Sequence, residues 1–295
     1  MAFGWIIFTV MAAFMQAWRN AFQKQLSSTV DVWGVTLARF IFGFPFAIAY
    51  LYFLYRFFPV NADVQFTHLY WFYICIAGSS QIIATALMVQ LFKQKNYAIG
   101  VGLAKSEAII AAIIASIVLA EFLSVLAWVG VILGGIAVFL LSRGQNFTGF
   151  STKTLTIGIG SGLAFAITSL LVREASLELT MLPQTHRAAW VLLCVIGFQC
   201  ASMLLYLGLF SRNTLHAMYQ RKGLTFSVST CSFLASLGWF TAMSMVSVAI
   251  VKTLGQIEIL FSLLISAYFF KEKLAKAEHV GLVLVVIAAI LVIWA

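Results

Sequence analysis

The chain has 295 residues, 63% of them hydrophobic and 9% charged, with a formal net charge of +9 and a mean hydropathy of +1.03. Soluble domains carry roughly 45–50% apolar and ~25% charged residues, so this composition excludes a soluble globule and points to a polytopic membrane protein. The basic residues are dispersed among short connectors rather than gathered in a patch, which sets nucleic acid aside as a partner and ties the positive charge to membrane topology.

Ten apolar segments follow one another near 3–23, 32–57, 69–92, 97–120, 124–142, 154–173, 181–210, 224–243, 247–270 and 279–295. Each approaches the length needed to cross a hydrocarbon core of ~30 Å, so an all-α bundle of about ten spans in the lipid bilayer is expected. The first segment lacks a basic leader and a small-residue cleavage site, and is expected to be a retained span rather than a removable signal. The connector from 142 to 153 is rich in Gly, Ser and Thr and divides the chain into two expected five-span repeats, 1–148 and 149–295.

The two halves are alike. An offset of 151 lays Ala98 on Ala249, Leu103 on Leu254, Glu107 on Glu258, Glu121 on Glu272, Leu123 on Leu274 and Gly130 on Gly281 without a gap. With small changes of connector length, Arg39 matches Arg187 and Arg19 matches Arg173. An odd number of spans per half turns the second repeat upside down, and an inverted repeat with a central cavity is a natural basis for alternating access.

A charge at the bilayer centre costs at least ~2.5–3.5 kcal/mol, so intramembrane charges usually face a bundle interior and mark a pathway. Arg39, Lys105, Arg187 and Lys252 are the candidate substrate-binding cations, with Trp239 as a cavity wall. Glu107 and Glu258 are candidates for proton coupling or for ion pairing, the simplest pairs being Glu107 with Arg39 and Glu258 with Arg187. Lys105 and Glu107 are two residues apart, roughly 200° around a continuous helix, so one should face the cavity while the other braces a neighbour. Lys252 matches Val101, which shares a helical face with Lys105, so both lysines should line corresponding surfaces. Four cations against two carboxylates favour an anionic or zwitterionic substrate. Cys75, Cys194, Cys200 and Cys231 lie in apolar stretches with no metal-ligand spacing, and no cofactor or metal is expected. No HExxH, GxSxG or paired nucleophile and base points to an enzyme.

Leu119-Ala120-Glu121-Phe122-Leu123 followed by Gly130, and Phe270-Lys271-Glu272-Lys273-Leu274 followed by Gly281, form two copies of one motif at one spacing. In this the chain resembles the drug/metabolite transporter superfamily, of the ten-span EamA type, over nearly its whole length. The resemblance implies a central cavity between the halves and substrates among amino acids, other metabolites and drugs. Many relatives carry a proline where Ala108 and Ile259 stand here, beside the two glutamates. The expected function is secondary active transport of a small polar organic solute across a bacterial inner membrane, as a monomer or homodimer. A lipid or lipid-linked-headgroup translocase and a membrane scaffold are the alternatives. Connectors after odd-numbered spans hold eleven Lys or Arg, against Arg56 and Arg173 on the opposite side. This bias places those connectors in the cytoplasm and both termini outside, the reverse of the arrangement usual among the relatives.

Overall fold

The computed structural model describes residues 3–94, 103–118, 122–141, 152–268 and 276–294. Glu121, the Glu-x-Leu turn at Glu272, Ala98, Val101 and the residues near 148/149 lie outside them. The described residues are helical, joined by short turns and links. In chain order the helices are α1 (Gly4–Leu26), α2 (Val32–Ala38), α3 (Gly43–Phe57), α4 (His68–Gln94), α5 (Glu107–Val118), α6 (Val125–Leu141), α7 (Thr152–Leu177), α8 (Gln184–Phe210), α9 (Arg212–Gln220), α10 (Lys222–Met245), α11 (Val248–Leu254), α12 (Glu258–Tyr268) and α13 (Lys276–Ile293).

Six described segments are long and apolar enough to cross a membrane: Val32–Phe57, His68–Lys93, Thr152–Leu177, Gln184–Phe210, Lys222–Met245 and Val248–Ile265. Glu107–Val118, Val125–Leu140 and Val283–Ile293 are shorter apolar helices. The outer surface carries exposed Ile7, Tyr52, Phe72, Ile83, Ile117 and Leu205, an apolar belt suited to lipid rather than water. This is a membrane protein.

Helix starts are fixed by local chemistry. Asp31 accepts the Gly34 N–H at 2.8 Å to cap α2, Thr67 Oγ1 accepts the Tyr70 N–H at 3.0 Å at the start of α4, and Ser124 Oγ accepts the Ala127 N–H at 3.1 Å at the start of α6. At one end of the bundle the α3–α4 link meets the α7–α8 link: Thr67 donates to Glu178 at 2.7 Å, and His186 bonds the Phe58 carbonyl at 3.0 Å. At the other end Thr214 of α9 bonds Asp31. We call these the α3–α4 side and the α9 side. The segment after 210, expected to be a plain connector, instead forms the short polar helix α9 on the second of these sides.

The halves interlock. The first helix of each expected repeat packs on helices of the other: α1 lies along α10 and α12, and α7 along α4 and α5. The last helices, α6 and α13, pack on each other. This reciprocal exchange is what two like repeats related by an axis in the membrane plane produce, and it brings α1, α4, α5, α7, α10, α11 and α12 around one centre. Two contacts require glycine. A Cβ on Gly238 of α10 would lie 2.6 Å from the Phe8 carbonyl of α1, and one on Gly162 of α7 would lie 3.1 Å from the Glu107 nitrogen.

Candidate functional site

Three expected spans are interrupted near the centre of the bundle, and each interruption delivers a charged side chain. The second expected span breaks at residues 39–42, between α2 and α3. Ser229 of α10 mends this break, donating to the Ala38 carbonyl at 2.5 Å and accepting the Phe42 N–H at 3.2 Å. Arg39 sits in the break. The fourth expected span turns at Lys105 and Ser106 before α5 begins at Glu107, and the ninth passes through a 3-10 turn, Gly255–Ile257, before α12 begins at Glu258. Non-helical backbone at membrane depth is tolerated only where it is buried in protein or lines a cavity. The two breaks place both glutamates in the first turn of a new helix, where the N-terminal end of the helix dipole favours a carboxylate. Ala108 and Ile259 are the second residues of these same helices.

The charges pair across the halves. Lys252 Nζ lies 2.7 Å from Glu107 Oε1, and Lys105 Nζ pairs with Glu258 Oε2. Glu107 Oε1 also accepts Ser169 Oγ at 2.8 Å, while Glu258 accepts Gln16 Nε2 at 2.6 Å and Asn20 Nδ2 at 2.8 Å. Trp239 ties the two groups together: its Nε1 donates to Gln16 Oε1 at 2.8 Å, and Lys252 Nζ stands 4.6 Å from the centre of its ring. Arg19 supports Asn20, donating to its Oδ1 from Nε at 3.1 Å and Nη2 at 2.8 Å.

Arg39 is bound differently. It is 3% exposed, donates from Nη1 to Thr85 Oγ1 at 2.8 Å, and has Phe165 and Phe40 rings 5.8 and 5.7 Å from its guanidinium carbon. Its Nε has no hydrogen-bond partner among the described residues, and no described carboxylate lies within ion-pair distance. Arg39, Lys105, Glu107, Lys252, Glu258 and Trp239 all border one cavity between the halves. The space open to water centres is about 30 Å³, room for about two water molecules and far too small for an organic solute.

Several expectations are corrected here. Glu107 meets Lys252 instead of Arg39, and Glu258 meets Lys105 instead of Arg187. Lys105 and Glu107 both face the cavity, because the turn at 105–106 cancels the 100° per residue that would have set them apart. Arg187 is elsewhere: it is the fourth residue of α8, near the α3–α4 side, and does not border the cavity. Among the described residues the cations lining the cavity are Arg39, Lys105 and Lys252, against the carboxylates Glu107 and Glu258. The sequence reading also passed over Gln16, Asn20, Thr85 and Ser169. The spacing Gln16, Arg19, Asn20, Gln23 traces a polar stripe on one face of α1 and was the available signal.

The sequence signature of the EamA-like transporter family matches residues 3–143 and matches again over 152–294, the two copies together spanning nearly the whole chain. The chain belongs to the EamA-like transporter family. It is thus a member of the drug/metabolite transporter superfamily and a membrane transporter of small solutes, and the two signature copies accord with the inverted repeat. A solved structure described as "Crystal structure of protein" superimposes with a TM-score of 0.71 at 15% identity, covering 96% of this EamA-like chain and 97% of that one, which is a likeness of fold alone. No curated protein matches it.

Proposed function

We propose that this protein is a secondary transporter, with ten spans in two inverted repeats, that carries a small anionic or zwitterionic organic solute by alternating access. The observation that supports this reading is Arg39. A buried guanidinium without a carboxylate is costly to keep, and a solute carboxylate would supply the missing partner through charge-assisted hydrogen bonds. The cavity as it stands is too small for an organic solute, so binding requires the halves to move apart. Glu107 and Glu258 are the proposed proton-coupling groups, because a proton arriving on either carboxylate would release its lysine. The test is thermal unfolding of purified protein with a panel of organic anions, amino acids and amines, since a ligand that binds only the folded state stabilises it by ~2.7 kcal/mol at a hundredfold excess over its Kd. A carboxylate-bearing solute should raise the unfolding temperature of native protein and leave Arg39→Gln unmoved. Stabilisation by amines alone, undiminished in Arg39→Gln, would contradict the reading.

A further inference from the structure

The carboxylates lie at similar depth, but their lysines approach from opposite sides. At 1.5 Å per residue, Glu258 stands roughly 15 Å below the start of α11 on the α3–α4 side, and Glu107 roughly 17 Å from the end of α5 on that same side. Lys252 stands only roughly 6 Å below the start of α11, so it reaches down to Glu107 from the α3–α4 side. Lys105 precedes Glu107 on a span that comes from the α9 side, so it reaches Glu258 from there. The lysines are not repeat mates: the offset of 151 puts Gln256 opposite Lys105. Each lysine nevertheless closes on the glutamate of the other half, and both pairs border the cavity.

We infer that the two cross-repeat ion pairs are separate gates, Lys252–Glu107 closing the cavity toward the α3–α4 side and Lys105–Glu258 closing it toward the α9 side. The inference rests on the alternating-access reading above. Opening one gate admits water, which solvates the two charges it separates. The other pair keeps its partner, and parting its members as well would separate a second pair of charges at further cost, so it holds. The same cost opposes opening both together, and one-sided access follows from electrostatics alone. Each glutamate begins a helix at a backbone break, so α5 or α12 can swing at its break without unwinding. The gates are unequal. Glu258 is held by Lys105, Gln16 and Asn20, whereas Glu107 is held by Lys252 and Ser169, so the gate toward the α3–α4 side is the weaker.

The test reads access to the cavity and needs no substrate. Cys75, Cys194, Cys200 and Cys231 are replaced by Ser, and a reporter is placed at the cavity as Ser236→Cys. A membrane-impermeant thiosulfonate is then added to right-side-out or inside-out vesicles. The parent should label slowly from both faces. Lys252→Met should speed labelling from the α3–α4 side by about tenfold or more, because the rate follows the open fraction, and Lys105→Met should do so from the α9 side. Acceleration from the same face in both variants, or from neither face, would overturn the gates. If a single variant aggregates, the charge-reversed pair Lys252→Glu with Glu107→Lys is read instead: slow labelling from both faces supports the gate, and fast labelling from the α9 side removes it. Sidedness without any stabilising solute would leave the gates standing and discard the substrate reading. A stabilising solute without sidedness would do the reverse.

Discussion

Glu258→Gln is the substitution whose cost the structure specifies most fully. Glu258 is 0% exposed and accepts from Gln16 and Asn20 while pairing with Lys105, itself 8% exposed. The amide leaves the Lys105 ammonium buried without a counter-ion, and its one carbonyl oxygen faces three donors, from Lys105, Gln16 and Asn20. Removing one partner of a buried pair costs about 3–5 kcal/mol, and that is the expected loss of unfolding free energy. Lys105→Met alone should cost less, about 1–3 kcal/mol, because Glu258 keeps two hydrogen bonds and can take up a proton. The double variant strands no charge, so its loss should fall short of the sum of the singles by about 2–3 kcal/mol. Glu107→Gln should cost about 1–2 kcal/mol less than Glu258→Gln, because its stranded Lys252 retains the face of Trp239. Unfolding in mixed detergent micelles, titrated with a denaturing detergent and followed by tryptophan fluorescence, measures all four. Losses that add to within ~0.5 kcal/mol would refute a coupled Lys105–Glu258 pair.

Trp239→Phe removes the 2.8 Å bond to Gln16 and weakens the face under Lys252; a loss of about 1–2 kcal/mol is expected in the same assay, and none would deny the bridge between the two ion pairs. Gly162→Val puts carbon where the 104–107 turn packs, so solute-induced stabilisation should fall sharply while the protein still elutes as a folded species on gel filtration; unchanged stabilisation would show that the turn is not held by α7. The charge bias of the connectors predicts that a C-terminal alkaline phosphatase fusion is active. A silent phosphatase beside a fluorescent C-terminal green-protein fusion would reverse the orientation.

Six long spans were legible because apolar length is imposed by the bilayer itself. Glu107 and Glu258 were legible as well, since an uncompensated charge inside an apolar run stands out and recurs at the repeat offset. The partners were not. Pairing Glu107 with Arg39 assumed that matched charges within one half meet, whereas α11 brings Lys252 across from the other half, a relation of packing rather than of sequence spacing. The breaks at 39–42, 105–106 and 255–257 fall at polar residues or glycine inside the apolar runs, and Pro45 stands in the first turn of α3, but the sequence does not show that Ser229 repairs one of them from another helix. Arg187 matched Arg39 in alignment, but Arg39 stands eight residues past Asp31 in a broken span and Arg187 four residues past Pro183 at a membrane end. Helix α9 was missed because its polar composition reads as a loop until Thr214 is seen bonding Asp31.

Counterflow decides the central claim, that Arg39 holds the anionic group of a transported solute. Proteoliposomes are preloaded with the unlabelled solute that stabilises the protein most, and entry of the same labelled solute is followed for native and Arg39→Gln protein. Loss of a charge-assisted bond worth ~1.5–3 kcal/mol predicts entry roughly 10- to 100-fold slower in Arg39→Gln, with rapid exchange by the native protein. Equal entry rates for the two proteins would contradict it.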